Sequence, residues 1–238
     1  MPQVTARPIA SMLKFQDEMN AIVNPNWRTA GYDWALAILM EAAEAIEHHG
    51  YKWWKKQVPD MPAVQMELVD IWHFALSDII LKEAEIYGKS FEQIAAEIVA
   101  KIPLEESESD LTDCLRSIVG QAARGEFSVH TFSNALTKSG MTFDSLYTSY
   151  IGKNVLNRFR QSRGYKSGEY IKDWSAYPLI KPLTEPRPLE DNDHLQDILL
   201  YANTESPVLF DELVGELDER YREVLAAEVE KNSPRQTM

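Results

Sequence analysis

Residues 67 to 76 read Glu-Leu-Val-Asp-Ile-Trp-His-Phe-Ala-Leu, an apolar run carrying two acids three residues apart. On a helix that spacing puts Glu67 and Asp70 on one face, a turn apart. Leu68, Val69, Ile71, Trp72, Phe74, Ala75 and Leu76 leave almost no polar side, so the helix reads as buried. Carboxylates on a buried helix must be paired or bind a cation, because a lone buried charge is too costly. An earlier stretch supplies a second pair, Glu41-Ala42-Ala43-Glu44, with Glu47 a turn further on. A short loop containing Pro59 and Pro62 joins the two stretches, and antiparallel packing brings the pairs together. A lone Glu-x-x-Glu is most simply a solvated or salt-bridged surface pair; the apolar flanks of Glu67 and Asp70 argue against that here. Oxygen ligands in this number suit a hard divalent cation, Mg2+ above all.

The rest of the chain follows the same 3.6-residue period. Helices are expected over about 8–23, 32–49, 63–82, 91–102, 111–122 and 128–138. Further helices follow from Thr142 to about 162, over 190–202, and over 207–231, the last opened by Ser206-Pro207 as cap and first turn. Strand alternation is scarce, so the expected class is all-α. The expected organisation is a helical body over 1–176, with 104–140 standing as an insertion candidate. A Pro-rich linker over 177–189 and a helical acidic tail over 190–238 complete it.

Of the net charge of -13, the tail holds most, with thirteen acids against Arg220, Arg222, Lys231 and Arg235. That balance disfavours nucleic acid as a partner, since phosphate neutralisation needs a basic face. Cys114 is the only cysteine, which fits a reducing setting and a packing role. Neither a secretory signal nor an apolar run of membrane-spanning length is present, so no membrane association is expected. The expected location is the cytoplasm, or the host cytoplasm for a phage-encoded chain.

One segment reverses the sign of this acidic chain. Between Lys153 and Lys172 lie six basic residues against Glu169 alone. Lys153, Asn157 and Arg160 fall at i, i+4 and i+7 on one helix face, and Gly164 and Gly168 follow. A solubilising basic face is the plain reading; a polyphosphate site is the sharper one, with the glycines letting backbone N–H groups approach an anion. Asn157 can hydrogen-bond a base, because an amide both donates and accepts. Trp53 and Trp54, packed among Lys52, Lys55 and Lys56, are either core residues or a stacking wall for a base. Gln16 and Asn20, taken alone, read as caps or surface amides. His48, His49 and His73 read as packing or surface groups. Gly88-Lys89-Ser90 imitates the end of a phosphate-binding loop, but lacks the upstream glycine.

Taken together these residues resemble the all-α, dimeric dUTPases, relatives of the MazG-type nucleotide pyrophosphatases. The resemblance rests on Gln16-Asp17-x-x-Asn20, Glu41-x-x-Glu44, Tyr51-Lys52-Trp53-Trp54-Lys55 and Glu67-Leu68-Val69-Asp70-Ile71-Trp72-His73-Phe74. It continues through Lys153-Asn154-x-Leu156-Asn157-x-Phe159-Arg160-Gln161, Gly164-Tyr165-Lys166-x-Gly168-x-Tyr170 and Trp174. It implies the helical bundle of that superfamily, a homodimer, and hydrolysis of dUTP to dUMP and pyrophosphate with Mg2+, two or more ions. Carried over by motif, Glu41, Glu44, Glu67 and Asp70 become metal ligands. Glu44, with Glu41 beside it, is the expected catalytic carboxylate acting on the attacking water. Lys153, Arg160, Tyr165 and Lys166 become phosphate contacts, and Gln16, Asn20, Asn157 and one of Trp53 or Trp54 contact the nucleoside. Two rivals stand beside this reading. One is a pyrimidine nucleotide pyrophosphatase taking dCTP as well as dUTP; the other is a non-catalytic helical interaction module whose tail binds a partner. The stretch 104–140 and the tail match none of the family motifs quoted.

Overall fold

Asp33 and Asp60 each start one of the two acid-bearing helices. In the computed structural model, which describes residues 4–103, 108–183, 187–202 and 209–232, α2 spans Trp34–His49 and α3 spans Met61–Ile79. The Asp33 carboxylate accepts from the Leu36 N–H at 2.9 Å, and Asp60 from Ala63 at 3.2 Å, each satisfying a donor that a first turn leaves orphaned. Gly50, at φ +89°, ends α2. The Asp60 N–H then donates to the His48 carbonyl at 2.9 Å. That bond turns the chain back, and α2 and α3 pack side by side in opposite directions.

Packing divides the chain into two units, Met1–Tyr150 and Ile151–Met238. In the first, Leu68, Val69, Ile71, Trp72, Ala75 and Leu76 of α3 are all fully buried, as the apolar run required. Around α2 and α3 lie α1 (Ala6–Val23), α4 (Phe91–Lys101), α5 (Leu111–Ala122) and α6 (Val129–Lys138). The insertion candidate adds core here: α5 lies along α2, α6 touches α3 and α4, and Phe132 stacks on Trp72 with ring centroids 4.9 Å apart. Cys114 is buried in α5. The helix expected to run to 82 leaves α geometry at Ile79 and continues as a π-helical segment, Ile80–Ile86. Gly88, Lys89 and Ser90 are punctuation: Lys89 Nζ bonds Glu83 and Glu97, both at 2.7 Å, and Ser90 forms a capping box with Gln93.

In the second unit the later turns of α7 (Phe143–Ser162), α8 (Asp191–Leu199) and α9 (Leu209–Asn232) surround Trp174. Rings of Phe159, Tyr170, His194 and Tyr221 all lie within 6.5 Å of the Trp174 ring, centroid to centroid. Gly152 on α7 permits the approach of α8, since a Cβ there would meet Leu199 Cδ1 at 2.9 Å. The Pro-rich segment is anchored at both ends: Trp174 N–H donates to the Leu189 carbonyl at 2.8 Å, and the Asp197 carboxylate accepts from Ile180 and Lys181. The expected Ser206-Pro207 cap lies outside the described residues. Among the described residues there are nine α-helices and no strand beyond one isolated bridge, Asp173 to Glu190. The all-α expectation holds.

Candidate functional site

The α2–α3 pairing brings Glu41, Glu67 and Asp70 together, with one carboxylate oxygen of each lying within 4.8 Å of the other two. All three are half-buried. Three anions this close cannot all stay charged without a counter-ion. Burial, then the hydrogen bond with Glu67, then the charges of Asp70, Glu67 and Glu44, push the Glu41 carboxyl up to about 8. At neutral pH, with no cation, Glu41 therefore keeps a proton and shares it with Glu67. Oxygen-only donors, half-buried and over-charged, fit a hard divalent cation. Glu44, the expected fourth ligand, is exposed and outside this group, although its charge reaches Glu41.

His48 joins the acids, its Nε2 lying 3.5 Å from Glu67 Oε1. Sequence reading assigned it no role. The signal was its position seven residues after Glu41, hence on the same face of α2.

Gln16 and Asn20 are not surface amides but parts of a buried network. Gln16 Nε2 donates to Asn20 Oδ1 at 2.9 Å, and Asn20 Nδ2 to Ser77 Oγ at 2.9 Å. The Gln16 Oε1 atom meets His73 Nδ1 at 2.7 Å and the Tyr150 hydroxyl at 3.0 Å. These partners set the orientation of both amides, which an isolated amide leaves open. Trp53 and Trp54 are not core either: they are 90% and 60% exposed, on the loop after α2, with ring centroids 5.5 Å apart.

In the second unit, Lys153, Asn157 and Arg160 share one face of α7 as expected. Arg160 is buried, and Asp191 grips it twice, Nε to Oδ2 at 2.8 Å and Nη2 to Oδ1 at 2.7 Å. Its Nη1 reaches Asn157 Oδ1 at 3.2 Å, and its guanidinium lies 5.4 Å from the centroid of the Tyr165 ring. Lys153 Nζ donates to Asn192 Oδ1 at 2.9 Å. Lys166 is exposed.

The glycines serve a different purpose from the one expected. Gly164, at φ +79°, ends α7, and the Tyr165, Gly168 and Glu169 N–H groups donate to the carbonyls of Arg160, Tyr165 and Gly164. Those donors are committed to the turn rather than to an anion. Two acids of the tail are engaged within the second unit: Asp218 pairs with Arg163, and Asp191 with Arg160.

The family described as dUTPase matches residues 8–165, a span that holds the acid cluster, the amide network, Lys153 and Arg160. The chain belongs to the all-α dUTPase family. Its activity is that of a dUTP diphosphatase, and dUTP is the substrate the family implies. The match also runs through 104–140, which held no motif quoted above, and stops before Lys166, Tyr170, Trp174 and the tail. No curated protein matches the chain. Among the described residues no helix is long and apolar enough to cross a membrane.

Proposed function

We propose that the protein hydrolyses dUTP to dUMP and pyrophosphate in a Mg2+-dependent reaction, with Glu41, Glu67 and Asp70 holding the metal. The clustering of three carboxylates on the paired helices, inside the span the dUTPase family matches, carries this reading. When bound, the ion supplies Lewis-acid polarisation of a phosphoryl oxygen and makes a water more acidic. Glu44, at the solvent edge of the cluster, orients that water and takes its proton. His48 holds the Glu67 carboxylate in place. Lys153 and Arg160 bind phosphate oxygens and offset the charge that builds up as the bond to the leaving pyrophosphate breaks. Tyr165 stacks against Arg160, and Lys166 adds a further contact.

The indole of Trp53 or Trp54, exposed on the loop after α2, is the group that stacks on the base. The buried Gln16 and Asn20 amides, by contrast, would have to exchange partners among His73, Ser77 and Tyr150 to contact a nucleoside. A homodimer completes the reading, supported by Leu36 and Met40, an exposed apolar pair one turn apart on α2.

Release of pyrophosphate from dUTP, dCTP, dTTP and dATP, with Mg2+ and with EDTA, tests this. The expected result is turnover of dUTP, lost in EDTA. Equal turnover of dCTP would replace it with a pyrimidine pyrophosphatase, and absence of any turnover would favour the interaction module.

The Glu41 proton gives a second test that needs no substrate. With a folded value near 8 against an ordinary 4.5, the metal-free folded state binds more protons than the unfolded chain across that window. Its stability therefore falls as pH rises through it. A cation that displaces the proton binds better at the upper end. Thermal melts are expected to show a larger Mg2+-induced rise in Tm at pH 8 than at pH 6; a rise independent of pH would remove Glu41 from the metal site.

A further inference from the structure

Asp191 lies in the tail, beyond the span that the family matches, yet it is the main partner of Arg160. Its side chain is fully buried. It takes two hydrogen bonds from the Arg160 guanidinium and a third from the Tyr170 hydroxyl at 2.8 Å. Burial alone would weaken both charges. The Arg160 bonds overcome it and hold the Asp191 carboxyl below its usual range, while the carboxylate holds the guanidinium charged. Tyr170 is itself fixed, stacked on Tyr221 with centroids 5.1 Å apart.

The next residue, Asn192, completes the arrangement. Its Oδ1 accepts from Lys153 Nζ at 2.9 Å and lies 3.4 Å from Arg160 Nη2. One neutral oxygen thus sits between the two cations. A guanidinium has five N–H donors in a rigid fork. Asp191 takes one from Nε and one from Nη2, so the remaining terminal N–H groups form the edge beside Lys153 and Asn157. An arginine held from behind in this way loses little side-chain freedom when an anion arrives.

We propose that Asp191 is a positioning residue of the phosphate site, fixing the Arg160 guanidinium from the tail, while Asn192 sets the spacing between Arg160 and Lys153. This rests on the reading of Lys153 and Arg160 as phosphate contacts. The geometry separates it from the opposite idea, that Asp191 is an anion occupying the site until phosphate displaces it. A carboxylate with no solvent exposure, tied to Arg160 and to Tyr170 at the first position of α8, is built in rather than exchangeable.

Steady-state kinetics with dUTP and Mg2+ on the full chain, with inorganic pyrophosphate as a competing inhibitor, tests it. Asp191→Asn is expected to raise KM and the inhibition constant for pyrophosphate about tenfold and to lower kcat as well, since Arg160 also faces the charge that develops as the leaving pyrophosphate departs. Arg160→Ala is expected to raise both constants too, and the double variant is expected to be no worse than Arg160→Ala alone. Should Asp191→Asn fold poorly, Tyr170→Phe removes one of the three donors and is expected to move the same constants in the same direction by about threefold.

An Asp191→Asn protein with unchanged constants, beside an Arg160→Ala protein with raised ones, would overturn the proposal and leave the phosphate site standing. Tighter pyrophosphate binding in Asp191→Asn would overturn it in favour of a competing anion. An Arg160→Ala protein with unaltered constants would bring down the phosphate-site reading itself, and the proposal with it. Additive effects in the double variant would show that Asp191 acts on something other than Arg160.

Discussion

Glu67→Gln is expected to remove dUTP hydrolysis, by about a thousandfold, in a protein that still melts cooperatively. Glu67 stands at the centre of the acid cluster, bonded to Glu41 on one side and 3.5 Å from His48 on the other. The amide is nearly isosteric and keeps a partner for Glu41, so packing along α3 is untouched. What it removes is one negative charge and the oxygen that the proposed metal site would use as a hard ligand. With that charge gone, repulsion within the metal-free cluster falls, and Tm without Mg2+ is expected to stay level or rise. The gain in Tm on adding Mg2+ is expected to shrink. Wild-type turnover in a well-folded variant would strip Glu67 of its place among the ligands.

Asp197→Ala is expected to cost about 3–5 kcal/mol of unfolding free energy, a loss typical of breaking a buried ion pair from one side. Asp197 is buried, bonds Arg220 Nη1 at 2.9 Å, and accepts the backbone N–H groups of Ile180 and Lys181 at 3.1 and 3.0 Å. Removing it strands a buried guanidinium beside neutral His194 and leaves two backbone donors without their acceptor. Arg220→Ala is expected to cost less, because Asp197 then keeps both backbone donors. Urea unfolding of the two variants checks the order, and an Arg220→Ala protein less stable than Asp197→Ala would contradict it.

The same cluster makes the fold sensitive to acid. Burial first, and the Arg220 charge second, lower His194 to about 4 from an ordinary 6.5. The unfolded chain thus binds the extra proton across that window, so the His194 contribution is complete above pH 6.5 and drains away as pH falls toward 4.

Much of the fold was legible because each helix carries its signals locally. The 3.6-residue apolar period and Thr142, standing where a first turn needs an acceptor, gave the helices. The caps at Asp33, Asp60 and Ser90 emerged only in the structure, and Gly164 ends a helix where an anion contact was expected. The acid cluster was legible for a similar reason: i, i+3 acids within an apolar run are too costly to be idle, and the short loop dictated an antiparallel partner. Three features were not. The buried setting of Gln16 and Asn20 depends on His73, Ser77 and Tyr150, which lie 57 to 134 residues away along the chain. Exposure of the two loop tryptophans could not be chosen in advance, because an indole among lysines suits a core and a stacking wall equally. The partner of Arg160 is an aspartate in a segment whose acidity looked like solvation. Net charge is a sum over residues and cannot say which acid meets which base.

The six tryptophans divide by environment. Trp27, Trp72 and Trp174 are sealed in the interior, whereas Trp53 and Trp54 stand in water beside Lys52, Lys55 and Lys56. The long-wavelength, quencher-accessible part of the protein's intrinsic fluorescence therefore belongs chiefly to one short loop. Events at that loop can be followed optically in the unlabelled chain, against a buried background that a collisional quencher does not reach.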